Sequence, residues 1–386
     1  MSAFGVEQLR AFCLQRGTKV GAVRRGGTIA LRSPVVLYLA VLLSTVGVGK
    51  AAGPVVFDKK DNGSPDRQRA LEVLVSRGAL IQRRHGASGN PVLEISVLSR
   101  KLTDRDMRYV VCFPELQRFY CTGSRITDDG IAELAKLKHL QILGLAGTRI
   151  TNNGLKHLSG LQELRWLYLG NTAVTDAGMP ALAQLRQLEV LYLNNTRVGD
   201  HGVACLKTLH RLQTLSLQAT RTGKRGLEAI AKLPRLECLY LNQTRVDDEA
   251  VTYLTQLPKL NALYLAGTTV SDRGAETLGR IAGLQYLVLS NTRIGDAGVR
   301  HLARLCALKS LMLSGTQVTD EACQVIARMK SLEAIDLSDT QVTDVGVRRL
   351  AVLPHLHLLA IVNTMVSSSA IACVKKALPN CRVRRD

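Results

Sequence analysis

One spacing constrains this chain more than anything else in it. A leucine returns every 24 residues, at Leu116, Leu140, Leu164, Leu188, Leu212, Leu236, Leu260, Leu284, Leu308, Leu332 and Leu356, and Val92 extends the series one step towards the N-terminus. That makes twelve units with no slippage. A fixed period of this size belongs to a solenoid, in which each unit contacts only its neighbours and the array grows linearly. The usual conversion of 386 residues into two or three globular domains therefore does not apply.

Residues 164–187 serve as the model unit, numbered from Leu164 as position 1. Positions 4 and 6 (Leu167 and Leu169) are apolar at period two, which predicts a short strand with one buried face. Positions 16, 19 and 22 (Met179, Leu182 and Leu185) follow helical spacing. Thr-Asp pairs at positions 12 and 13, such as Thr127-Asp128, Thr175-Asp176, Thr319-Asp320 and Thr343-Asp344, supply oxygens for capping the helix start. Pro180 must fall in the first helical turn and so delays that start in its unit. One strand and one helix cannot bury their apolar sides alone. Stacked units can, with a parallel sheet inside and helices outside.

Position 9 is threonine from Thr148 to Thr364, after Arg100 and Ser124 in the first two units. A recurring hydroxyl beside buried leucines needs a partner, since an unpaired one costs about 1–3 kcal/mol. The column is expected to bond to the backbone of a neighbouring turn.

The resulting pattern, LxxLxLxxTxVTDxGLxxLxxL, resembles the leucine-rich repeat, and most closely its bacterial, F-box and ribonuclease-inhibitor-like members. The likeness covers about 290 of the 386 residues. It implies an α/β horseshoe of about twelve repeats, with a parallel sheet on the concave face and helices on the convex face. For function it implies a binding scaffold without a cofactor, because this fold serves many partners. It also brings an alternative, an intracellular F-box-like substrate receptor of a ubiquitin ligase, although residues 54–91 hold no convincing F-box.

The ends differ from the array. Residues 1–53 carry Arg10, Arg16, Lys19, Arg24, Arg25 and Arg32, then an apolar run over residues 35–48 and the small residues Gly49, Ala51 and Ala52. This is the composition of an export signal, cut after Ala51 or retained as an anchor through residues 33–49. The run is short for a membrane span of about 20 residues. Residues 54–91 are expected to cap the array, with a helix starting at Ser64-Pro65, ending at Gly78 and covering the first repeat with Leu71, Leu74 and Val75. A strand over residues 79–82 follows. Residues 92–379 are the repeats. Residues 370–377 form a last helix, and residues 380–386 are a C-terminal cap with a solvated basic tail.

No catalytic constellation emerges. Eight histidines fall at unrelated repeat positions, and neither a metal-ligand spacing nor a phosphate loop is present. None of the nine cysteines forms a CxxC pair, leaving Cys373 with Cys381 as the one candidate disulfide. The Asp column at position 13 invites a calcium ladder, but its place beside each helix N-terminus gives it enough to do. The formal net charge of +20 is partly a column of arginines at position 10: Arg125, Arg149, Arg197, Arg221, Arg245 and Arg293. These either form a basic stripe or pair with the Asp column three residues on. Export argues against nucleic acid as the partner.

The strongest functional signal lies at positions 3 and 5, which point out of the strands onto the concave face. They hold Tyr120, Trp166, Tyr168, Tyr192, Tyr240, Tyr264 and Tyr286, flanked at position 7 by Asn194, Gln218 and Asn242. Amphipathic rings with short amides are typical of recognition surfaces. The expected ligand is a protein or peptide on this exposed strip, with Arg197 and Arg245 on the rim. A glycan is the other occupant such a strip would suit. Stacking between neighbouring strands is the structural alternative.

Overall fold

The computed structural model describes residues 64–85 and 91–385. The basic segment, the apolar run, the cleavage position after Ala51 and Cys13 lie outside the described residues.

The described chain forms a 14-stranded sheet whose strands follow one another in chain order. Strand β1 (Ala79–His85) runs antiparallel to β2 (Pro91–Val97), the strand of the first repeat, and every later neighbour is parallel. Strand β3 is Leu116–Tyr120. From there β4 (Ile142–Gly144), β5 (Trp166–Tyr168), β6 (Val190–Tyr192), β7 (Thr214–Ser216), β8 (Cys238–Tyr240) and β9 (Ala262–Tyr264) each occupy positions 3 to 5 of their unit. So do β10 (Tyr286–Val288), β11 (Ser310–Met312), β12 (Ala334–Asp336) and β13 (Leu358–Ala360). Residues Arg382–Arg384 add β14 beside β13. The basic tail expected to be solvated is thus the last strand, ordered by backbone pairing with the repeat before it.

Short helices return the chain on the convex side, and a single core runs between the two layers from Ala70 to Cys381. The leucines of positions 1, 4 and 6 fill it: Leu164, Leu167 and Leu169 are 0% exposed. Pro180 delays its helix as expected, with a 3₁₀ turn over Asp176–Gly178 and the α-helix beginning at Met179. The cap helix Pro65–Ser76 starts from Ser64 and stops before Gly78, whose φ is +86°. Its core-facing side is Ala70 and the expected Leu74, both buried, with the expected Leu71 partly buried against the core. Val75, a further 100° around the helix, is exposed.

Three columns recur along the array, and one of them links each repeat to the next. Threonine at position 9 bonds within its own unit and not to a neighbour: the hydroxyls of Thr148, Thr172 and Thr196 donate to the carbonyls of Leu145, Leu169 and Leu193 at 2.6, 2.6 and 2.7 Å. Each buried hydroxyl is satisfied by a carbonyl three residues back, which also tightens the turn leaving the strand.

The neighbour is reached instead by the Asp at position 13. Asp296 accepts the Thr319 N–H at 2.8 Å and its hydroxyl at 2.7 Å, and Asp248 treats Ser271 in the same way at 2.7 and 2.6 Å. The capping residue is the threonine of position 12, as where Thr319 Oγ1 accepts the Glu321 N–H at 3.2 Å. The Asp expected to cap is the first helical residue, and its carboxylate faces the next repeat. This close approach crowds position 15, which is glycine in most units and no larger than alanine at Ala322 and Ala370. A Cβ built on Gly154 or Gly202 would lie 2.5 Å from the carboxylate of the preceding Asp128 or Asp176.

The third column is one of backbone conformation. Position 8 is left-handed in repeat after repeat, with φ of 58° at Asn171, 54° at Asn195, 54° at Ala219 and 67° at Gly267. Asn and Gly tolerate this region and explain most of the column. Between β7 and β9 the regular pattern lapses. Lys224 replaces the Asp, its ammonium meets Glu249 at 2.7 Å, and the next helical segment, Ala250–Gln256, is 3₁₀ throughout.

Candidate partner-binding face

Parallel pairing in register brings the position-5 side chains of successive units into one column. Tyr168 pairs with Tyr192, Ser216 with Tyr240, and Tyr240 with Tyr264. The rings then touch. Centroids are 5.2 Å apart for Tyr168 and Tyr192 and 4.3 Å apart, nearly parallel, for Tyr240 and Tyr264. Tyr192 and Tyr240 are two repeats apart, yet their centroids come within 6.0 Å across the small Ser216. At the other small position, Gly144, a Cβ would meet the Tyr120 ring at 2.7 Å, so the missing side chain makes room for that ring. Small residues thus let the tyrosines fill the column without a void.

This packing revises the expectation of an exposed strip. Tyr120, Tyr168 and Tyr264 are buried at 3, 2 and 9% exposure. Trp166, Tyr192, Tyr240 and Tyr286 are half-buried. Two apolar clusters result, one of Tyr120, Ile142 and Tyr168 with Trp166, Val190 and Tyr192 against it, the other of Cys238, Ala262 and Tyr264 with Tyr240 and Tyr286. Burial, reinforced by Cys238, pushes the Tyr240 and Tyr264 phenols well above the usual range. Burial and the Glu333 carboxylate raise that of Tyr286 as well. All three therefore act as neutral hydroxyls at physiological pH. Farther along, Met312, Ala334 and Ala360 form a third apolar cluster. Burial raises the Asp336 carboxyl there, against the lowering effect of hydrogen bonds from Ser338.

At position 7 the amides play different parts. Asn242 Oδ1 accepts the Ala266 N–H at 2.8 Å, and its amide reaches Gln218 at 3.5 Å, so Asn242 helps to hold the array. Asn194 leans over Gly170, and its buried Oδ1 has no partner among the described residues.

The arginines of position 10 stand along the edge where the chain leaves the sheet. Arg197 and Arg245 donate backbone N–H groups to Val174 and Thr222 of the preceding repeats at 3.0 and 2.9 Å, and their side chains are exposed. They make no ion pair with the Asp column, whose Oδ1 atoms accept the position-12 N–H of the next repeat, as Asp200 does from Gly223 and Asp248 from Ser271. Among the described residues no group of three His, Cys, Asp or Glu side chains converges on a common point. Cys373 is exposed, Cys381 is buried, and both are free thiols, so the candidate disulfide is not formed.

Comparison with known proteins agrees with this architecture. A model described as leucine-rich repeat region matches residues 116–299, and a second, leucine rich repeat, matches residues 328–351. The chain is a leucine-rich repeat protein. No curated protein matches it in sequence. Among solved structures it resembles an internalin from Listeria monocytogenes, with 18% identity and a TM-score of 0.60 over 83% of this chain and 94% of the other. It also resembles a leucine-rich repeat protein of Leptospira interrogans, with 19% identity and a TM-score of 0.50 over 75% and 81%. At such identities the likeness is one of fold.

Proposed function

We propose that the chain is a non-enzymatic scaffold holding a protein or peptide against its concave face, outside the cytoplasm or tethered to a membrane through residues 33–49. In this reading residues 1–53 direct export, residues 54–91 cap the array, residues 92–379 recognise the partner and residues 380–386 close the other end. The observation that carries it is the half-buried set Trp166, Tyr192, Tyr240 and Tyr286. Buried neighbours already order these rings, so a partner gains aromatic contact area with little further loss of side-chain freedom. Tyr120, Tyr168 and Tyr264 form the backing of that surface. Asn194 offers an acceptor that burial has left unsatisfied, Asn242 a fixed amide, and Arg197 and Arg245 charge at the rim.

The test is capture of partners by the full chain, compared with Trp166→Ala/Tyr192→Ala. A protein retained by the parent and lost from the double variant, at equal thermal stability, supports the reading. Binding of oligosaccharides by the parent with no protein retained would replace the protein ligand with a glycan. Unfolding of the double variant would make the strip structural. N-terminal sequencing of the mature chain tests export: a start near Ala52 in an exported fraction, or an intact chain in membranes, agrees with the proposal, and an intact cytosolic chain contradicts it.

A further inference from the structure

A second site lies away from the aromatic column, at the N-terminal end of the rim. A cleft of about 490 Å³ opens where the first three repeats turn out of the sheet, lined by Arg100, Arg125, Arg149, Thr122, Gly123 and Gly147 among others, with no carboxylate among its lining residues. We propose that this cleft binds a small organic molecule through a tetrahedral oxyanion, a phosphate or sulfate monoester.

Charge is the first argument. Three guanidinium groups share one concavity, all three are exposed, and none makes an ion pair or side-chain hydrogen bond among the described residues. Their natural counter-charges nearby are already committed. Asp104 takes the Thr127 N–H at 2.8 Å and its hydroxyl at 2.7 Å, and Asp128 takes those of Thr151 at 2.7 and 2.5 Å. The arginine backbones are fixed as well, since Arg125 and Arg149 donate N–H groups to Leu102 and Ile126 of the preceding repeats at 3.1 and 2.9 Å. Mutual repulsion among three held cations is relieved by an anion and by little else in the cleft.

The second argument is independent of charge. Thr122 lines the cleft, is 7% exposed, and its Oγ1 has no hydrogen-bond partner among the described residues. Buried hydroxyls are nearly always satisfied, so an orphan inside a cleft points to a ligand atom. Thr122 stands at position 7, outside the position-9 column whose threonine hydroxyls find carbonyls in their own unit.

Shape completes the case. Gly123 and Gly147, with φ of +73° and +68°, leave the floor bare, and a Cβ built on Gly123 would meet nothing within 4 Å. Guanidinium forks match tetrahedral oxyanions two oxygens at a time, and three forks with one hydroxyl suit the three terminal oxygens of a phosphate or sulfate monoester better than the two of a carboxylate. The volume exceeds that of a bare ion and falls within the range of small-molecule pockets. An ester with an organic body is therefore the fitting class.

The experiment is titration of the full chain with phenyl phosphate, phenyl sulfate and benzoate at constant ionic strength, read by calorimetry and by thermal unfolding. The expected result is saturable binding of the phosphate or the sulfate ester, and which one distinguishes the two sources of the oxyanion. Arg125→Gln/Arg149→Gln should weaken it at least tenfold, while Arg221→Gln/Arg293→Gln, on the same stripe but outside the cleft, should leave it unchanged. Thr122→Val should weaken it several-fold without altering the fold. Absence of saturable binding, benzoate binding as tightly as either ester, equal losses in the two arginine pairs, or full affinity in Thr122→Val would each overturn the assignment.

Discussion

Asp128 grips Thr151 of the following repeat with both carboxylate oxygens, one accepting the backbone N–H at 2.7 Å and the other the hydroxyl at 2.5 Å. The same pair of contacts recurs along the array with a 23-residue offset, and it is the most regular side-chain link between repeats. In a solenoid such a link sets the coupling between units, on which cooperative unfolding depends.

Removing it should therefore be costly. Asp128→Ala leaves a part-buried N–H without an acceptor and is expected to lose about 1–3 kcal/mol in urea denaturation. Asp128→Asn should cost far less, because Asn152 already fills this position: its Oδ1 accepts the Thr175 N–H at 2.9 Å and its amide donates to the Thr175 hydroxyl at 2.8 Å. Equal losses from both variants would show that charge, not hydrogen bonding, couples the repeats.

The Asp336 carboxyl gives a pH dependence of opposite sign to that of most carboxylates. Burial raises its pKa in the folded chain above the ordinary 3.8. The fold then binds the proton more tightly than the unfolded chain does, so this group's contribution is fully present below the unfolded pKa. It is lost as pH rises through the folded one. Asp336→Asn keeps an acceptor for the Ser338 N–H, now at 2.9 Å. It is expected to raise the Tm at pH 7 and to change it little near pH 3. Thermal unfolding at the two pH values decides the matter, and a lower Tm at pH 7 would contradict the burial argument.

Ala219 holds a left-handed backbone, φ 54°, where most repeats place Asn or Gly. Its Cβ is strained there and its side chain offers no hydrogen bond in return. Ala219→Gly is expected to stabilise by roughly 0.5–1 kcal/mol, the left-handed penalty less the extra freedom of glycine in the unfolded chain. Ala219→Val should destabilise. Urea midpoints of the two variants check the ordering.

The aromatic column should divide into supporting and available rings. Tyr264, 9% exposed and stacked on Tyr240, is expected to cost about 2–4 kcal/mol when replaced by Ala. Tyr286, at position 3 beside the end of the column, is half-buried, and Tyr286→Ala should cost about 1 kcal/mol. If Tyr264→Ala were as mild as Tyr286→Ala, stacking would not be holding the concave face together.

Much of this architecture is legible in the amino-acid sequence because the repeat multiplies a weak local signal. The leucines of positions 1, 4 and 6, the change from period two to helical spacing, and the delay forced by Pro180 depend on local geometry, and each unit states them again. What the sequence could not decide concerns contacts between units. Asp128 stands beside a helix N-terminus in the chain, so capping was the natural inference, yet stacking carries its carboxylate to Thr151. A threonine at position 9 suits a neighbouring turn as well as its own, and in the fold its own turn supplies the carbonyl. Tyr192 and Tyr240 meet only because Ser216 between them is small, and Arg382 and Arg384 form a strand only because β13 presents an edge. Likewise, Arg100, Arg125 and Arg149 occupy different repeat positions or different repeats and share a cleft only once the first turns are superposed. The period specifies which face each residue occupies. Which neighbours it finds there is decided by side-chain sizes and hydrogen-bonding partners brought together across repeats, and those are properties of the assembled solenoid.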